Sequence, residues 1–513
     1  MKKVFNKIGV YLLILFVVLI SLIIIGVGYL FLVPKAELFG ISYVKDKTYK
    51  YYSSVDYDIE LIDKLIIKAS KFNINIKASD EHDDIRIKVY NDFSGFSKNK
   101  KANEFIFEYN PSDDSLLLET KEMSGWIGSG DSRIDVFIPK ALFGEAFSVS
   151  ASAKSDCSIA VEGFGGAKLG SLEIGLNRGD FYYDNISINE IYIKSNRGEI
   201  TAGENVSGEV ETLTLDLGKN KVDFLYAGKA QEGLKKEGAE YEDIDFVVKK
   251  LILRNCEKNG EIRLIRCEKI LSDEGCVVNG GKLTVSKCKF FDVESENFSM
   301  RCYNLDEAVT TSYFKASGTG SIVVDNAGSV CNLSTNSGDI KVEKANKELV
   351  VETMTGDISL NKASFGVTAI TKSGNISVAF DEELGEYSIG NRVRVIDSLR
   401  SSGGTVKVIG VNKMNLDVSK ADVYVEYYKV VDTNEVKTND ASAKIVVPKN
   451  EAVQLNCLGQ NAKLKVEVGT THYDEVLTGE YKPPVCFGTI ADGELSVSAE
   501  NGTLEIYSAD LIK

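Results

Sequence analysis

Histidine is almost missing from this 513-residue chain: there are two, His82 and His472, far apart in sequence. That leaves little room for imidazole catalysis or a His-rich metal site. Tryptophan occurs once, at Trp126, and proline six times. No P-loop, GxSxG, HExxH or nucleotide-binding glycine fingerprint is present in its required context. Positive charge is in deficit, with 60 Lys and Arg against 75 Asp and Glu and a net charge of −15, which argues against nucleic acid or anionic lipid as a broad partner. Nine cysteines is an odd number, so they cannot all pair within one chain. Against these shortages stand 44 glycines and 43% hydrophobic residues, a composition that fits a packed β protein.

The glycines are ordered. Gly320, Gly338, Gly356 and Gly374 fall 18 residues apart, in SGTGSIVV, NSGDIKV, MTGDISL and KSGNISV. The second and fourth residues after each are apolar: Ile322/Val324, Ile340/Val342, Ile358/Leu360 and Ile376/Val378. Cys331/Leu333, Leu349/Val351 and Val367/Ala369 precede the last three glycines at a matching step. Alternation of period two on both sides of a turn glycine predicts two half-buried strands per repeat. So short a repeat cannot bury its own apolar face, and neighbours must stack into a solenoid. The same pattern places turns at Gly179 and Gly198, and at Asn220, where asparagine replaces glycine as a residue that tolerates a left-handed backbone. The predicted fold class is therefore all-β, a stacked β-solenoid of about 18–22 residues per coil, with one N-terminal transmembrane helix.

Three lysines precede an uncharged run from Val10 to Val33. As a helix of about 1.5 Å per residue it is long enough for a ~30 Å hydrocarbon core. The flanking charges place residues 1–9 in the cytoplasm, 10–33 in the membrane and the bulk of the chain outside the cytoplasm. A cleaved signal peptide is the rival, but its apolar region is shorter and ends at a small-residue site. Residues 36–60, rich in tyrosine, read as a juxtamembrane stalk, and 61–145 as an N-terminal strand region that includes KLIIKA, FNINIKA, IRIKVY, EFIFEY, SLLLET and RIDVFIP. KNKK at 98–101 reads as a solvated hairpin loop. Solenoid repeats fill 146–431, interrupted near 226–242 by a polar loop or short helix. The polar stretch Asp432–Ala441 marks a boundary before a C-terminal β region, 443–513. RIDVFIP and AKIVVP look like one strand used twice, and NGTLEI repeats the turn signature near the end.

SGDIKV, TGDISL and SGNISV in the middle, RGDFYY and RGEITA before them, and the VFIP-type strand ending at Pro139 together resemble the bacterial DUF4097 adhesin-type β-strand-repeat family, also called toastrack. The likeness runs over roughly residues 60–410, with the cysteines and the 225–250 interruption departing from the simple pattern. The resemblance implies a surface or envelope β-solenoid, membrane-anchored in some members, with no established enzyme activity and no cofactor. The expected function is thus a membrane-anchored interaction or envelope-sensing module. Its partners would be the membrane, through the N-terminal helix, and an unidentified protein or glycan at the cell envelope.

The alternative is a carbohydrate-active enzyme on the same scaffold. Asp180, Glu199, Glu261, Asp339 and Asp357 follow turn positions, and stacking would set neighbours about 4.8 Å apart, close to the carboxylate spacing of retaining glycosidases. Yet Asp and Asn are ordinary turn residues, and the series passes to Asn375 and Ser321 without respect for chemistry. A weak calcium site on that ladder lacks the β-roll repeat. Cys256, Cys267, Cys276, Cys288 and Cys302 recur at 9 to 14 residues, as buried thiols on successive coils would; a disulfide between coils or a metal are the other readings. RGD at Arg178–Asp180 fills a slot that reads RGE at Arg197–Glu199, so it is a product of the repeat. The N-x-S/T triplets at Asn185, Asn205, Asn332 and Asn375 arise from composition. Trp126 lies in a glycine-rich segment as a loop plug or a binding anchor.

Overall fold

The computed structural model describes residues 2–33, 37–38, 41–57, 59–97, 104–121, 125–129, 132–144, 146–163, 168–184, 187–203, 208–224, 246–256, 260–272, 280–308, 310–383, 393–449, 452–469, 471–481 and 493–509. KNKK, the 226–242 interruption, Cys276, Asn185 and Asn205 lie outside them. The chain divides into two compact units, Met1–Gly198 and Glu199–Lys513.

The first unit begins with the helix Lys2–Leu32. Within it Tyr11–Leu30 is long and apolar enough to cross a membrane, and the side chains from Tyr11 to Ile25 stand exposed. Parallel stacking starts at Lys64, well before the repeats were expected to begin. Lys64–Ala69 pairs with Ser148–Asp156, which pairs with Lys168–Arg178. Asn73–Ser79 likewise pairs with Ile159–Glu162, which pairs with Phe181–Asp184. The registers align Leu65, Val149 and Leu172 in one inward file and Ile74, Ile159 and Phe181 in another, all nearly inaccessible. On the other side Asn73–Ser79 meets Arg133–Pro139 in parallel. Arg133–Pro139 then pairs antiparallel with Arg86–Ser97, and that strand with Ile41–Ser53.

The tyrosine-rich segment is therefore a strand of a ribbon, not a stalk. Its alternation of outward Lys47, Tyr49 and Tyr51 with Thr48, Lys50 and Tyr52 suits a strand covered on one face: Lys50 lies over Phe105 and Tyr52 packs on Phe107. Trp126 too sits on a strand, Gly125–Ser129, rather than in a loop.

In the second unit the register places Ile322, Ile340, Ile358, Ile376, Val406, Val423 and Ala443 one above another. Val324, Val342, Leu360, Val378, Val408, Val425 and Ile445 form a parallel file. The opposite strand of each coil supplies Leu333, Val351, Ala369, Leu399, Leu416 and Val436. All of these are buried. Each such aliphatic side chain taken out of water contributes about 1.5–3 kcal/mol, which is why a two-strand coil is stable only in a stack.

Asp432–Pro448 is one continuous strand, so the polar stretch is no boundary. Its inward slots include Asn434 and Thr438, both buried, and these hide the alternation. The coils then depart from chain order. The last strand, Gly493–Ala509, lies between Asp432–Pro448 and Val453–Val468 and pairs in parallel with both. Val453–Val468 is the outermost coil, edged by the antiparallel strands Thr471–Leu477 and Glu480–Tyr481. RIDVFIP and AKIVVP accordingly differ: the first has an antiparallel neighbour, the second only parallel ones.

Candidate functional site

The repeated turns are built from a threonine, a glycine and an acidic or amide residue. Thr335, Thr353 and Thr371 sit three residues before Gly338, Gly356 and Gly374, and each hydroxyl accepts the glycine N–H at 3.0, 3.0 and 3.1 Å. Thr335 also donates to the Gly320 carbonyl at 3.0 Å, and Thr353 to that of Gly338 at 3.4 Å. Thr335 and Thr353 thereby join their own turns to the coil before. Nothing but hydrogen fits on the glycines. A Cβ would stand 2.3 Å from Phe298 O at Gly320, 2.1 Å from Gly320 O at Gly338, 2.0 Å from Gly338 O at Gly356 and 1.9 Å from Gly356 O at Gly374. Close approach of coils explains these four, since none has a left-handed backbone. Gly179 and Gly198 do, with φ of 138° and 135°. Asn220 is different again: it is buried inside the continuous strand Gly208–Phe224 without left-handed φ. The left-handed rationale for its asparagine therefore does not hold.

The residues after the glycines face solvent and serve the backbone. Asp339 Oδ1 accepts the N–H of Asp357 at 2.9 Å, and Asp357 Oδ1 accepts the N–H of Asn375 at 2.8 Å. Asn375 Oδ1 in turn accepts from Thr405 N at 2.9 Å, carrying the ladder on to the strand Gly404–Val411. Each of the two carboxylates thus commits one oxygen to an amide one coil ahead. Earlier in the unit the register alternates sign, with Lys221 beside Glu261 and Glu261 beside Lys282. Glu199 and Lys221 pair at 3.4 Å. There a lysine separates Glu199 from Glu261, whereas Asp339 and Asp357 remain direct neighbours. Among the described residues no three His, Cys, Asp or Glu side chains converge as metal ligands.

Cys256, Cys267, Cys288, Cys302 and Cys331 are free, buried thiols. Cys267 and Cys288 are direct neighbours on adjacent strands. Burial pushes Cys256, Cys288 and Cys331 up to about 12, and Cys267 and Cys302 well above the ordinary thiol range. Protonated at neutral pH, they pack as small hydrophobes. One residue had no signal in the repeat: Arg394, 2% exposed. It donates to the carbonyls of Gly410 and Glu382 and lies 4.0 Å from the Tyr428 ring centroid. It joins Glu382 to the strand Gly404–Val411.

Residues 259–392 match the family model Toastrack DUF4097. The toastrack match is narrower than the 60–410 span expected; it takes in the coils bearing Cys267, Cys288, Cys302 and Cys331 and leaves out Cys256 and the 225–250 interruption. No curated protein matches the chain. Three solved structures resemble it at low similarity. One, described as "a putative adhesin" from Bacteroides fragilis NCTC 9343, is 11% identical with a TM-score of 0.25, over 61% of this chain and 97% of that one. "A putative adhesin" from Parabacteroides merdae ATCC 43184 gives 10% and 0.21, over 63% and 96%. "A putative cell adhesion protein" from Clostridium sporogenes ATCC 15579 gives 8% and 0.16, over 90% and 100%.

Proposed function

We propose that this chain is a membrane-anchored, non-enzymatic β-solenoid whose strand-rich bulk lies outside the cytoplasm and acts as an interaction or sensing module at the cell envelope. The observation that carries the reading is the exposed apolar helix Tyr11–Leu30 ahead of described residues that are otherwise mostly strand. The outward faces are solvated ladders of opposite charge, as in Lys289–Glu268 at 2.7 Å and Arg301–Asp325 at 2.9 Å. Such faces suit broad, reversible recognition. The turn carboxylates, tied to backbone amides, are taken up by architecture. Protease added to intact cells should digest the strand-rich bulk and leave the helix; full protection of residues beyond 60 would overturn the orientation. Turnover of envelope polysaccharide by the native chain, lost on replacing Asp339 and Asp357 by Asn, would replace this reading by the enzymatic one.

A further inference from the structure

The outward face of the antiparallel ribbon in the first unit carries a built cluster that the stacking does not use. Tyr49 stands opposite Tyr90 on the neighbouring strand, and Tyr90 opposite Arg133 on the next. The Tyr49 and Tyr90 rings are 5.0 Å apart, and the Arg133 guanidinium lies 4.7 Å from the Tyr90 centroid. Two residue pairs along, on the same face, Lys47 meets Asp92 at 3.0 Å. The floor is fixed by buried polar groups. Ser132 Oγ donates to Asn91 Oδ1 at 3.2 Å and accepts the Asp92 N–H at 3.1 Å. Between these side chains runs an open groove of about 380 Å³, lined by Lys47, Thr48, Tyr49, Tyr90, Asp92 and Arg133, within the size range of small-ligand clefts. Tyr49 is 55% exposed, and Tyr51, on the same face of the same strand, 46%. Among the described residues outside the helix they are the only two exposed aromatics set side by side.

The chemistry narrows the ligand. A pyranose of glucose configuration offers a flat C–H face to a tyrosine ring and an edge of vicinal hydroxyls to a carboxylate and a guanidinium. The groove presents both kinds of surface. An anionic headgroup would need uncompensated cations, but Lys47 is neutralised by Asp92, and Arg133 by Asp135 at 3.0 Å. We propose that this groove, together with Tyr51 just beyond its end on the same strand face, binds a linear saccharide of equatorial-hydroxyl hexoses, stacked on Tyr49 and Tyr51 and bracketed by Asp92 and Arg133. The assignment rests on the interaction-module reading and names its binding site.

The test is calorimetric titration of the full chain in detergent with cellotetraose and chitotetraose, alongside capture of isolated cell envelope. Saturable binding of at least one tetrasaccharide is expected. Tyr49→Ala, and separately Tyr51→Ala, should weaken it roughly tenfold or more, a loss of about 1.4 kcal/mol. Tyr313→Ala, an exposed aromatic of the second unit, should leave it unchanged. No binding of either sugar overturns the assignment, as does binding by both tyrosine variants equal to that of the native chain. Binding confined to phosphatidylglycerol vesicles would also overturn it. If native chain and groove variants capture envelope equally, the groove fails and the interaction module stands. If the native chain captures neither envelope nor sugar, both fall.

Discussion

Replacing Thr353 by valine isolates the contribution of one turn clip. The side chain is 5% exposed, and valine keeps its shape and its methyl contact. What disappears is the acceptor 3.0 Å from the buried Gly356 N–H and the weaker donation to Gly338 O at 3.4 Å. An orphaned buried donor costs about 1–3 kcal/mol, and about 2 kcal/mol corresponds to roughly thirtyfold. Solenoids open locally rather than all at once, so a global melt would dilute the effect. Amide hydrogen exchange read at Gly356 is the suitable assay. Thr353→Val should speed exchange there by about that factor and leave Gly320 nearly unchanged, whereas Thr353→Ser, which keeps the hydroxyl, should have a much smaller effect at Gly356. Exchange at Gly356 within twofold of the native chain in the valine variant would refute the clip.

Other perturbations give equally definite outcomes. Gly356→Ala forces a methyl to 2.0 Å from the Gly338 carbonyl oxygen; overpacking of this kind costs about 1–3 kcal/mol or more, and urea unfolding followed by tryptic cleavage near 356 should begin at lower urea. Deleting residues 493–513 removes the strand shared by Asp432–Pro448 and Val453–Val468, so limited proteolysis should cut within 453–481 while the coils from 312 to 427 resist. In alkali, unfolded thiols ionise near 8.5 but Cys256, Cys288 and Cys331 only at about 12. Between those values the unfolded chain binds fewer protons, so stability falls as pH rises, by up to about 1.4 kcal/mol per pH unit per thiol. Denaturant midpoints measured from pH 8 to 11 should therefore decline, and the same three thiols should resist iodoacetamide at pH 8 until urea is added.

The stack was legible because the repeat is strict where packing is strict. Ile340, Ile358 and Ile376 recur at 18 residues and lie directly above one another. The threonine clip was legible too, in TNSG, TMTG and TKSG, but attention to the glycine alone passes over it. The glycines' reason was not: close approach to a neighbouring carbonyl leaves no local trace distinct from a left-handed turn. Polar inward residues concealed the coil at Asn434 and Thr438. The order of the last coils is a non-local matter. Gly493–Ala509 and Val453–Val468 carry equivalent alternation, and nothing in either says which docks first against Asp432–Pro448. Nor does local pattern separate a tyrosine-rich stalk from a ribbon strand whose partner begins at Arg86.

Spin labels at Lys341, Ser359 and Ser377 test the stacking itself. These outward positions are register partners on successive coils, so each storey should add about 4.8 Å. With the two cysteines outside the described residues, Cys276 and Cys486, changed to serine, continuous-wave spectra of the 341/359 and 359/377 pairs should be strongly broadened by dipolar coupling, and the 341/377 pair less so. Three pairs with the narrow lines of isolated labels would contradict a stack of two-strand coils.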